Sequence, residues 1–134
     1  INKRRGGYAM FNFFAVGMGG FIGASLRYFM SSLPVFTQIN FPAATLLINF
    51  LGAFIIGLVA VSAIHFEGLH PAVVLFFKTG LCGGFTTFST FSLETMELVA
   101  EGRIFTAAVY SMASVALCLC AIYLGKMVFT ALFS

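Results

Sequence analysis

Charge-free, mostly apolar stretches run from Gly6 to Leu26, from Tyr28 to Phe66 and from Ile104 to Gly125. A helix needs about 20 apolar residues to cross a bilayer. The middle stretch is too long for one crossing, and it is interrupted at Pro34–Pro42, where Gln38 and Asn40 also sit. Proline and polar residues clustered in this way mark a loop. The pattern predicts a first span over Met10–Ser31 and a second over Pro42–Ile64. A third span fits between Pro71 and Ala100, with Lys78 near one end and Glu94 and Glu97 near the other. Its middle holds Gly80, Cys82, Gly83, Gly84, Phe85, Thr86 and Thr87. Each glycine inside a helix costs about 1 kcal/mol relative to alanine, so a helix broken in mid-membrane is predicted there. The fourth span is predicted over Ile104–Phe129.

Composition sharpens this picture. Of 134 residues, 60% are hydrophobic and 8% charged. A soluble domain has roughly 45–50% and about 25%, and a small globule cannot hide the excess. A soluble enzyme and a disordered tail are excluded. A net charge of +3, scattered along the chain, is too small for a nucleic-acid-binding surface. The fold class is an all-α integral membrane protein: four transmembrane helices in a lipid bilayer, the third broken. Residues 1–9, with Lys3, Arg4 and Arg5, are expected to be a leader or tail ahead of a four-span unit, residues 10–134. Cys82, Cys118 and Cys120 all lie in apolar runs and are expected to be small buried thiols.

Charge also bears on orientation. With the leader set aside, Lys126 falls on one side of the membrane, and Arg27 and Arg103 on the other. That positive-inside bias is very weak. A chain without a decisive bias can insert both ways, and two such copies can pair antiparallel. If the three leader charges are native, a single orientation is favoured instead.

Several polar residues sit where hydrocarbon should not tolerate them. Asn49 lies in mid-span 2 and shares a helical face with Thr45, Gly52 and Ile56. An unpartnered amide there is costly, so Asn49 either bonds across a helix interface or faces a polar path. In span 4, Ala107, Tyr110, Ser111, Ser114, Cys118, Ala121 and Gly125 recur at helical steps, which suits either close packing or a pore wall. Gly19 and Gly23 form a small-residue packing motif. Arg27 either snorkels to the headgroups or attracts anions to a pore mouth. Glu94, Glu97 and Glu101 share a face at a helix end, and Glu94 is close enough to the break to face a vestibule.

The densest chemistry is GGFTTFSTFS, residues 83–92. Thr86, Thr87, Ser89, Thr90 and Ser92 are interleaved with Phe88 and Phe91, which share a face if helix resumes after Thr87. An aromatic ring has a positive edge. Two inward-pointing edges, with hydroxyl and amide donors, can hold a small anion without a full charge. Plain packing of two phenylalanines is the competing reading. A mid-membrane break frees carbonyls, and such carbonyls suit a hard monovalent cation such as Na⁺.

GGFTTFSTFS, GGFIGASLRY at 19–28 and TLLINFLG at 45–52 together resemble the Fluc (CrcB) fluoride channels, over the chain from Met10 onward. The resemblance implies an antiparallel, dual-topology homodimer with two fluoride pores in the cell membrane (the bacterial inner membrane). It implies passive export of F⁻, which protects the cell from fluoride toxicity, with rejection of Cl⁻. By the same resemblance Phe88, Phe91 and Asn49 line the fluoride path. Ser89 and Ser92 form a polar track beside the rings, Tyr110 and Ser114 line it from span 4, and Arg27 matches the first-span arginine. Backbone carbonyls of Gly83 and Thr86 would hold a central structural Na⁺. Two departures are Ala44, where the family often has glycine, and Cys118, where a hydroxyl is expected. A small exporter of organic cations would need a carboxylate in spans 1 or 2, and there is none. A hydrolase would need a serine or cysteine with a histidine in reach, and His65 and His70 lie together on one loop. The sequence therefore reads as a channel and not an enzyme.

Overall fold

The structure is a computed structural model that describes residues 2–133, with side chains from Tyr8 onward. The expected leader therefore lies largely outside the described side chains. Among the described residues, seven α-helices and one π-helical segment follow one another: α1 (Asn2–Ser31), α2 (Pro34–Thr37), α3 (Ala43–His65), α4 (Pro71–Leu75), the π-helical segment Phe76–Cys82, α5 (Gly83–Phe85), α6 (Phe88–Ala100) and α7 (Ile104–Phe133). Four stretches are long and apolar enough to cross a membrane: Tyr8–Ser31, Ala43–His65, Pro71–Ala100 and Ile104–Phe133. They match the four expected spans to within a few residues, and the protein is a multi-pass membrane protein. Pro34 and Pro71 each open a helix, where a missing N–H costs nothing.

Small residues decide which spans pack together. Gly19 and Gly80 lie backbone to backbone, as do Gly20 and Gly84, and Gly23 lies on the Leu81 carbonyl. Span 1 thus runs parallel to span 3, in contact along the glycine face that the sequence marks for tight packing. On the other side, Gly57 meets the backbone of Ile122, and Gly125 that of Phe54, pairing α3 with α7. The buried residues of α7 are Ala107, Tyr110, Ser114, Ala121, Gly125 and Phe129, so the span 4 stripe faces inward. Bulky side chains such as Phe13 and Phe105 point outward, where lipid replaces water as the surrounding solvent.

The expected break in the third span is present, at Thr86 and Thr87 within the predicted stretch 80–87, and three details differ from expectation. The third span is irregular over a longer stretch than expected, since π-helix occupies Phe76–Cys82 before the chain leaves helical geometry at Thr86 and Thr87. The glycines are not themselves the break. Gly80 and Gly84 are occupied in packing against α1, and the chain opens where side chains capture the backbone. Of the cysteines only Cys82 is buried, Cys118 is half-buried and Cys120 is exposed, because Cys120 falls off the inward stripe of α7.

Candidate functional site

Thr86 is the last turn before the break, and its N–H and Oγ1 both donate to the Cys82 carbonyl, at 2.9 and 2.8 Å. Thr87 is extended, with φ −150° and ψ 119°, and caps α6 by accepting from the Thr90 N–H at 3.2 Å. A threonine at this position is a common helix start. Asn49, on α3, reaches across to the same residue. Its Oδ1 accepts from the Thr87 N–H at 2.8 Å, and its Nδ2 donates to the Thr87 carbonyl at 3.0 Å.

These bonds have a consequence for two carbonyls. In an unbroken helix the Thr87 N–H would serve Gly83, and the Thr90 N–H would serve Thr86. Here the first goes to Asn49 and the second to the Thr87 hydroxyl. The Gly83 and Thr86 carbonyls are left without their helical donors, which suits them to a hard monovalent cation.

A cavity of about 380 Å³ opens beside the break. Asn49, Gly83, Thr86, Phe88, Phe91 and Ser114 all line it, with Lys78 and Cys118 on its wall. The Phe88 and Phe91 rings lie 5.6 Å apart and tilted by 41°. Phe91 also packs on Tyr110, at 5.1 Å, whereas Phe88 is 79% exposed. Ser114 is only 6% exposed, and its Oγ has no hydrogen-bond partner. An orphaned buried hydroxyl is uncommon, and this one sits on the cavity wall.

Towards the α6 C-terminus the polar line continues. Glu94 accepts from Thr45 Oγ1 and from the Tyr110 hydroxyl, each at 2.7 Å. Thr45 is buried and Tyr110 fully buried. Glu94 also borders a second, outer cavity of about 220 Å³ together with Asn40, Glu97, Glu101 and Arg103. Arg103 closes that end, donating to the Asn40 carbonyl at 2.6 Å and to Asn40 Oδ1 at 2.8 Å, and pairing with Glu101 at 3.3 Å.

Of the residues singled out from the sequence, the chain thus gathers Thr45, Asn49, Gly83, Thr86, Phe88, Phe91, Glu94, Tyr110 and Ser114 along one line between α3, α6 and α7. It does not bring Arg27, Ser89 or Ser92 to the cavity. Arg27 lies near the end of α1, half-buried. Ser92 Oγ donates to the Phe88 carbonyl at 2.8 Å, and Ser89 Oγ lies 3.4 Å from Thr87 Oγ1. The two readings of Asn49 merge, since it bonds across a helix interface and also lines the cavity. Thr87, named in the sequence only as one hydroxyl of the motif, is the residue that Asn49 holds and that caps α6. Its signal was present as a hydroxyl three positions before Thr90 at a helix start.

The family description "CrcB-like protein, Camphor Resistance (CrcB)" matches residues 14–126. The chain belongs to the CrcB family. It is 47% identical to a protein of Ruminiclostridium cellulolyticum over 88% of its own length and 92% of the relative's. It is 39% identical to one from Methanococcus vannielii, over 89% and 96%, and 40% identical to one from Methanocaldococcus jannaschii, over 88% and 94%. All three relatives are named "Fluoride-specific ion channel FluC". These CrcB relatives are channels and not enzymes, in agreement with the sequence reading.

Proposed function

We propose that this CrcB protein is a fluoride-selective channel that lets F⁻ leave the cell passively, down its electrochemical gradient. The observation that carries the reading is the cavity at the break, whose wall holds a buried, unpartnered Ser114 hydroxyl together with Phe88 and Phe91. Fluoride holds its hydration shell tightly and enters hydrocarbon only if each lost water is replaced. Ser114 Oγ–H supplies one donor. Asn49 spends one Nδ2–H on Thr87 and keeps the other. The positive ring edges of Phe88 and Phe91 supply the rest. Full positive charges are scarce along this line, so a weakly hydrated halide gains little there. Thr45 and Tyr110 tie Glu94 in place at the end of the track.

In this reading two copies insert with opposite orientation and pair as a homodimer across the open side of the cavity. Support comes from the cost of the alternative. Exposed Gly83 and the freed carbonyls at mid-span would otherwise face lipid, and irregular backbone at membrane depth is tolerated only against protein or water. The Gly83 and Thr86 carbonyls would hold a Na⁺ at the dimer centre, where it joins the two copies and offsets the negative potential of the carbonyls. Arg27, Ser89 and Ser92 take part in the path only once the second copy is in place.

Growth tests the export claim. Cells stripped of their own fluoride export should regain growth on fluoride when they express this chain. Cells expressing Phe88→Ile at equal membrane levels should not. Equal growth with both, or with neither, would overturn the reading.

A further inference from the structure

Lys78 is a cation inside the third span, within the π-helical segment Phe76–Cys82. π-Helical turns cluster at functional sites because they re-aim side chains, and ionisable residues inside a membrane usually mark a path or a partner. Lys78 lines the same cavity as Asn49, Phe88, Phe91 and Ser114. Among the described residues the one ion pair is Arg103 with Glu101, so no carboxylate neutralises the Lys78 ammonium.

Its depth follows from the contacts. Span 2 runs antiparallel to span 3, since Thr45 meets Glu94, Asn49 meets Thr87 and Gly52 meets Thr86. Continuing the same way brings Lys78 to the level of Ile56, which shares the cavity wall with it. The polar line therefore has two unlike ends. Glu94, Glu97 and Glu101, with Arg103, stand at one, and an uncompensated lysine stands at the other.

We infer that Lys78 is the anion-gathering charge at the end of the pathway remote from Glu94, raising the local fluoride concentration where the ion enters or leaves the ring pair. This rests on the fluoride reading given above. A fixed charge in a cleft with low-dielectric walls concentrates counter-ions and speeds their entry. Standing at the level of Ile56, on the far side of the break from Glu94, Lys78 gathers the ion at the end of the cavity.

Initial fluoride efflux from proteoliposomes decides the matter, measured for the wild type, Lys78→Met and Lys78→Arg at low and at saturating fluoride. Lys78→Met is expected to slow efflux about tenfold at low fluoride and to approach the wild type as fluoride saturates. Lys78→Arg should restore the low-fluoride rate. Raising an impermeant salt from about 0.01 to about 0.1 M shortens the Debye length from about 30 to about 10 Å. That change should slow the wild type at low fluoride and leave Lys78→Met unaffected. Equal slowing of Lys78→Met at all fluoride concentrations would mean a packing role and overturn the inference, as would no slowing at all. If Lys78→Met does not assemble, the wild type's salt dependence decides, and a flat response overturns the inference. A wild type that conducts no fluoride would sink the channel reading itself, whereas a conducting wild type indifferent to salt and to Lys78→Met would sink only the role of Lys78.

Discussion

Asn49 and Thr87 form a closed pair in which one side-chain amide satisfies both backbone groups of the residue that breaks the third span, at 2.8 and 3.0 Å. The break is therefore held open from α3. Asn49→Ala should leave the Thr87 N–H and carbonyl unpaired, at about 1–3 kcal/mol each. The expected loss of unfolding free energy in detergent is about 2–6 kcal/mol, measured by denaturant titration, with flux lost as well. An unchanged stability would show that the pair does not hold the break.

The two phenylalanines should separate function from folding. Phe88 is largely exposed in the single chain, whereas Phe91 packs on Tyr110. Phe88→Ile should cut fluoride flux strongly with little effect on unfolding. Phe91→Ile should cut flux and also cost about 0.5–1.5 kcal/mol through the lost aromatic pair. Flux and thermal stability measured on the same preparations check both, and unchanged flux in either variant would refute the role of that ring edge.

Ser114 offers the opposite trade. Its buried Oγ has no partner among the described residues, so its removal relieves a desolvation cost. Ser114→Ala should leave stability unchanged or raise it by about 1 kcal/mol. Flux should fall about tenfold if the hydroxyl donates one charge-assisted hydrogen bond to the passing ion. A destabilised variant with normal flux would mark Ser114 as structural.

The four spans were legible in the sequence because hydrocarbon imposes a simple rule on charge and length. Asn49, Tyr110, Ser114 and Glu94 were legible because polar residues in apolar runs stand out. The break was legible too, within residues 80–87, but what opens it was not. Glycines in a row signal weak helix, but they also signal close helix contact, and here Gly80 and Gly84 serve the second purpose. The opening at Thr86–Thr87 depends on Asn49, 38 residues away in sequence, and no local pattern carries such a contact. The π-helical segment, which packs against α1 through Gly80, was not foreseen either, since no local motif marks it.

The freed carbonyls of Gly83 and Thr86 lead to a prediction about cations. If the proposed antiparallel dimer forms around Na⁺, exchanging Na⁺ for a large organic cation should weaken fluoride flux or shift purified protein from dimer to monomer, read by size-exclusion chromatography with light scattering. Indifference of both flux and assembly would argue against a cation at the break.

Anion selectivity is the most direct test. Purified protein in liposomes loaded with either potassium fluoride or potassium chloride, with a potassium ionophore to carry the countercharge, reports the two effluxes under matched gradients. Fast fluoride release with chloride release no greater than from empty liposomes is the expected result. Comparable release of the two halides, or none of either, would contradict a pathway built on ring edges and hydrogen-bond donors.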